Sequence, residues 1–128
     1  MIEDTAFARK LARLKIDTLA LEYSVLRVLT AQHSSPEALA VASVLKTRGA
    51  ELRQRAADLA VEALGDHGMA AVAEPEGEHN LRQDGLVAPV PDYAIGLSAR
   101  AMFRRATTIY GGANEIQRTI IAKSVLQL

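Results

Sequence analysis

A chain of 128 residues, 49% apolar and 23% charged, has the material for one folded domain, and ordinary globular composition argues against disorder. Fifteen basic residues balance fifteen acidic ones, so no net field gathers nucleic acid or an anionic membrane surface, and neither is expected as a partner. The lack of cysteine excludes disulfides and thiolate metal sites and fits a reducing compartment. Met1-Ile2-Glu3-Asp4 opens with no basic segment ahead of an apolar run, and no window nears the ~18 uninterrupted apolar residues of a membrane span. A cytoplasmic location is therefore expected. Two Phe, three Tyr and no Trp beside abundant Ala and Leu favour helices over strands, and the fold class expected is all-α.

In chain order, the first helix is predicted from about Thr5 to Gln32. Leu11, Leu14, Leu21, Val25 and Val28 form one seam if Thr18 fills its gap, and Ile16, Leu19, Tyr23 and Leu26 form a second. Two adjacent stripes predict a bundle helix buried on more than one side. His33-Ser34-Ser35-Pro36-Glu37 is a break and a restart: Ser34 or Ser35 can cap free N–H groups, Pro36 needs no donor, and Ser34 with Glu37 fits a capping box. The second helix, about 35–64, carries Leu45, Gly49, Leu52, Ala56, Leu59 and Ala63 at spacings of four and three. Gly49 and Ala56 would let a neighbour approach closely, and Gly65 supplies the stop. From 71 to 91 the periodicity collapses into a Gly- and Pro-containing segment, an irregular loop expected to be poorly ordered. Asp92 can cap a third helix, about 93–108, and a fourth runs from about 114 to 126, burying Ile116, Ile120 and Ile121.

His33, His67 and His79 all fall at breaks without a second ligand at metal spacing, so no metal site is expected. Gly65-Asp66-His67-Gly68-Met69 has the look of a phosphate loop but follows a helix, whereas phosphate loops follow strands. Arg100, Arg104 and Arg105 could meet phosphate, although arginines at such spacing more often form a solvated or salt-bridged face. The pair Gly111-Gly112 stands out more. One mid-helix glycine costs about 1 kcal/mol against alanine, so two effectively end a helix. A simple C-cap turn accounts for the break, yet does not need two glycines or explain the flanking Tyr110 and the polar run behind it. Glycine also lets a ligand approach the backbone, beside the N–H groups that open the fourth helix.

Ile109-Tyr110-Gly111-Gly112-Ala113-Asn114-Glu115-Ile116-Gln117-Arg118-Thr119-Ile120-Ile121-Ala122-Lys123 closely resembles the C-terminal signature of flavin-dependent acyl-CoA dehydrogenases. Ala63-Leu64-Gly65-Asp66-His67-Gly68-Met69 is similar to that family's Leu-Gly-Gly-x-Gly turn. The resemblance covers nearly the whole chain and implies an antiparallel helical bundle of about four helices, like the family's C-terminal domain lacking its first helix. It implies, further, a part of a larger protein that also has an N-terminal helical and a middle β domain. Such a part would be inactive alone and would associate through exposed apolar seams.

The family removes the α-proton of an acyl-CoA thioester while the β-hydrogen leaves as hydride to FAD. In many members a glutamate directly after the signature tyrosine is the base; here that position is Gly111, which cannot be one. The same position's backbone N–H holds the thioester oxygen in the family, and that task needs no side chain. The resemblance thus implies Gly111 as a catalytic backbone donor and Tyr110, Gly111 and Gly112 as substrate-binding. For FAD it implies Ala113, which lacks the usual hydroxyl, Glu115, Glu62 toward the adenosine half of a neighbouring subunit's cofactor, and Gly65 and Gly68 through close backbone approach. The partners implied are acyl-CoA, possible transfer to an electron-acceptor flavoprotein, and further copies or a heteromeric subunit. A non-catalytic helical association module and a flavin-dependent oxidase or hydroxylase on the same scaffold stay open as alternatives.

Overall fold

The computed structural model describes residues 4–30, 36–69 and 90–126, and among these the chain is all-α with no strand. Its helices are α1 (Thr5–Thr30), α2 (Pro36–Ala63), α3 (Leu97–Phe103) and α4 (Asn114–Ile121). Their directions follow from who meets whom. Lys10 pairs with Glu62, Asp17 with Arg55, and Leu21 lies against Gly49, so α1 and α2 are antiparallel. Ser98 reaches Gly68, Arg105 reaches Asp58 and Thr107 reaches Ala50, so the third segment returns along α2. Asn114 meets Lys46 and Arg118 meets Glu51, so α4 runs back in the direction of α2. The bundle is up-down-up-down with α2 at its centre.

The best-buried face of α2 is not its leucine seam. Ala40, Ser43, Thr47 and Ala50 are 3%, 2%, 7% and 7% exposed, at spacings of three and four; Thr107 of the third segment meets Ala50, and Asn114 of α4 meets Lys46 beside this face. Small side chains allow this close approach, and the Thr47 hydroxyl donates to Ser43 O at 2.9 Å, so the face buries no unpaired hydroxyl at that position. Leu45, Gly49 and Leu52 turn toward α1 instead, where Leu45 and Leu52 line a groove of about 780 Å³, and Ala56 is exposed. Leu64, Val90 and Ala94 form a small cluster with Ile95 and Leu97 at the other end.

At Gly49 an added Cβ would sit 3.7 Å from Leu21 Cδ2, an ordinary contact. Helix propensity then decides, and Gly49→Ala is expected to stabilise the chain by about 1 kcal/mol, read as a raised thermal midpoint. A lowered midpoint would mean that α1 sits closer to α2 than this geometry.

Three expectations need correction. α1 contains no buried residue, and its second stripe faces outward: Ile16 and Tyr23 are 63% and 67% exposed, with Leu19 and Leu26 near half. Among the described residues only α2 packs broadly against α1, so there one seam finds a partner and the other does not. The single helix over 93–108 is instead three pieces: a 3₁₀ turn at Asp92–Ala94, α3, and a second 3₁₀ turn at Arg104–Thr108. The break comes at Gly96, whose φ of 76° is left-handed and cannot continue a helix, so Asp92 opens the short turn and Gly96 stands at the start of α3. In the last segment α4 gives way to a π-helical turn at Ala122–Leu126, and Ile116 is exposed while Ile120 and Ile121 are half-buried. The buried residue of α4 is Asn114, the polar residue that opens the helix.

The expected caps at Ser34 and Ser35, most of the loop 71–91, His33 and His79 lie outside the described residues. No described helix is long and apolar enough to cross a membrane.

Candidate functional site: a glycine turn slung from the central helix

Ile109 to Ala113 carries the chain from the third segment into α4. The N–H groups of Ile109 and Tyr110 both donate to Ala106 O, at 2.9 and 3.0 Å, and close the preceding turn. Gly111 and Gly112 then adopt φ of 69° and 92°. Both values lie where L side chains are strained, so the turn itself requires both glycines; the simple-turn explanation asks for two after all. Space differs between them. A Cβ on Gly111 would meet nothing within 4 Å, whereas one on Gly112 would collide with Gln117 Nε2, whose side chain folds back over the turn. The same Nε2 donates to Gly111 O at 3.4 Å. Gly111 therefore faces open space, and Tyr110 beside it is 45% exposed.

Ala113 is the residue before α4, extended at φ −55°, ψ 144°, and no side chain caps the helix there. Glu115 lies exposed in the first turn of α4, where a carboxylate opposes the positive end of the helix dipole. A local reason for that carboxylate therefore exists without any cofactor.

The anchors of the turn come from one face of α2. Lys46 Nζ donates to Asn114 Oδ1 at 2.8 Å, and Asn114 is 4% exposed. The Thr107 hydroxyl, 3% exposed, donates to Arg104 O at 2.7 Å and reaches Ala50 O at 3.4 Å. Gln54 Nε2 donates to Arg105 O at 3.0 Å and Arg104 O at 3.3 Å, and Asp58 pairs with Arg105. Lys46, Ala50, Gln54 and Asp58 stand four residues apart, a single row along the helix. Sequence reading missed Lys46, Gln54, Thr107 and Asn114; the available signal was that i, i+4 row of polar residues broken only by one alanine. It also explains one of the three arginines, since Arg105 is salt-bridged to α2.

The remaining residues implied for FAD lie elsewhere. Glu62 is paired with Lys10 Nζ at 2.7 Å, so its carboxylate is partly neutralised. Gly65 takes φ 57° just past α2 and ends it. A Cβ on Gly68 would stand 2.7 Å from Val61 O, so the backbone packing of this turn accounts for glycine there without a ligand. Sixteen residues of α2 separate Glu62 from Lys46, about 24 Å at helical rise, so the structure does not bring Glu62, Gly65 and Gly68 together with Ala113 and Glu115. Among the described residues no cluster of three His, Asp or Glu could hold a metal, and His67 is exposed.

Fold and turn together define a class: an all-α bundle domain whose double-glycine turn leads into its last helix and is tied to the central one. The family described as "Acyl-CoA dehydrogenase, C-terminal domain" matches residues 1–126, and the chain belongs to that family. No curated protein and no solved structure matches the chain.

Proposed function

We propose that this chain supplies the thioester-facing turn and part of the oligomer interface of a cytoplasmic, FAD-dependent acyl-CoA dehydrogenase, and that it is inactive alone. The observation that carries this reading is the Gly111-Gly112 turn, left-handed at both residues and open at Gly111. An acyl-CoA α-proton is only weakly acidic, so its removal needs a base and hydrogen bonds to the thioester oxygen, where enolate charge gathers. The backbone N–H of Gly111 is suited to the second role, with Tyr110 and Gly112 flanking the substrate. Gly111 offers no base, which must come from another part of the protein.

FAD, when bound, supplies the hydride acceptor that completes α,β-dehydrogenation. This chain's residues fit it only as backbone neighbours at Ala113 and as polar edges at Glu115 and at Glu62, whose charge Lys10 offsets. Among the described residues these positions lie at separate ends of α2 and do not meet in one pocket. The uncovered stripe Ile16, Leu19, Tyr23 and Leu26 supports assembly with further copies or a heteromeric subunit. Electrons would pass on to an acceptor flavoprotein.

The test is reduction of flavin by saturated acyl-CoA in the protein that joins this domain to its flavin-binding domains. Bleaching of the oxidised flavin with formation of the enoyl thioester is expected there, and a colourless product is expected when this chain is purified alone. A flavin that acyl-CoA does not reduce would overturn the activity. A chain that purifies with stoichiometric flavin would overturn the division of labour.

A further inference from the structure

We infer that Lys46 and Gln54 of α2 are positioning residues for the Gly111-Gly112 turn. The inference rests on the reading of that turn as the thioester-facing element. Glycine has more conformational freedom than any other residue, so two in succession cannot hold a fixed geometry by themselves. The attachment has to come from the flanks. On the upstream side Gln54 grips two successive carbonyls, Arg104 O and Arg105 O, and on the downstream side Lys46 grips the Asn114 amide oxygen. The turn hangs between these two points.

The chemistry of the downstream tether is not what packing alone asks for. An amide 4% exposed next to an ammonium is costly to desolvate, and an apolar pair of similar volume would hold two helices together at least as well. What the charge-assisted bond adds is direction and length: 2.8 Å from Nζ to Oδ1 fixes the first residue of α4, two positions after Gly112. Gln54 does the same for the end of the third segment. Both side chains reach from the same face of α2, so one rigid helix sets both ends of the turn, and neither side chain needs to touch substrate.

The test uses the chain labelled with ¹⁵N-glycine. In Lys46→Met the amide resonances of Gly111 and Gly112 are expected to move or split, while those of Gly65 and Gly68, beyond the far end of α2, hold. Lys46→Arg, which keeps a charged donor, should restore them. Gln54→Met, nearly isosteric, should move the same pair and serves if Lys46→Met does not fold. Resonances of Gly111 and Gly112 unchanged in a folded Lys46→Met or Gln54→Met chain would overturn the inference, however much stability was lost. In the flavin-containing protein, Lys46→Met should lower kcat about 100-fold with little change in KM, the signature of a displaced transition-state contact, and Lys46→Arg should recover most of it. A loss confined to KM would also overturn it. If wild type shows no acyl-CoA turnover, the proposed activity fails, and the glycine resonances still decide whether the tether exists.

Discussion

Gly111→Val is expected to reduce acyl-CoA-driven flavin reduction by about 10²–10³-fold in the protein carrying this domain, the scale of losing one oxyanion-type donor. Glu115→Ala should cost far less. The physical reasons are separate. At φ 69° a β-branched residue is strongly disfavoured, by about 1–2 kcal/mol or more, while nothing within 4 Å of the Cβ position obstructs it. The chain should therefore stay folded and relieve strain by rotating the turn, which carries the Gly111 N–H away from the thioester oxygen. Glu115 is exposed in the first turn of α4, and its loss removes only a favourable charge at a helix end. Rapid-mixing flavin reduction measures both variants. Wild-type rates in Gly111→Val, or an equal deficit in Glu115→Ala, would remove the backbone-donor role.

The second large effect is on stability, at Gly68. Gly68→Ala should destabilise the chain by about 1–3 kcal/mol, the range of overpacking. The new methyl would stand 2.7 Å from Val61 O and 3.0 Å from Val61 Cγ1, and a backbone oxygen in a helix cannot swing aside as a side chain can. The 3₁₀ turn Gly65–Met69 would have to shift, and with it Gly68 O, which accepts the Ser98 hydroxyl at 2.9 Å and so ties α3 to the end of α2. Denaturant midpoints of wild type, Gly68→Ala and Gly49→Ala should fall in the order Gly49→Ala, wild type, Gly68→Ala. A Gly68→Ala midpoint equal to wild type would show that the turn moves freely.

These two glycines illustrate what the sequence made legible. The long apolar periodicities and Gly65 mark out α1 and α2, because two helices of 26 and 28 residues offer many turns over which spacing repeats. The shorter elements fail for a physical reason. A single left-handed residue, Gly96, breaks the helix expected over 93–108, and seven residues of α3 are too few to reveal the break. Which stripe of α1 would be covered depends on what packs there, and periodicity carries no information about the number of neighbours. Around the candidate site, the double glycine was visible in the letters, but its cause was split: both φ values demand glycine, and only the open side of Gly111 leaves room for a ligand. Lys46 and Asn114 were hidden because polar residues read as surface, whereas here a 2.8 Å bond lets an amide be buried.

The small-residue face of α2 has a practical consequence for anyone mapping this domain by mutation. Ala40 and Ala50 are already alanine, and Ser43 and Thr47 lose little volume on truncation. A conventional alanine scan would therefore pass over the surface that sets how near α4 comes to the central helix. Scanning upward in size, with leucine or methionine in place of these four, is the experiment that would make that surface visible.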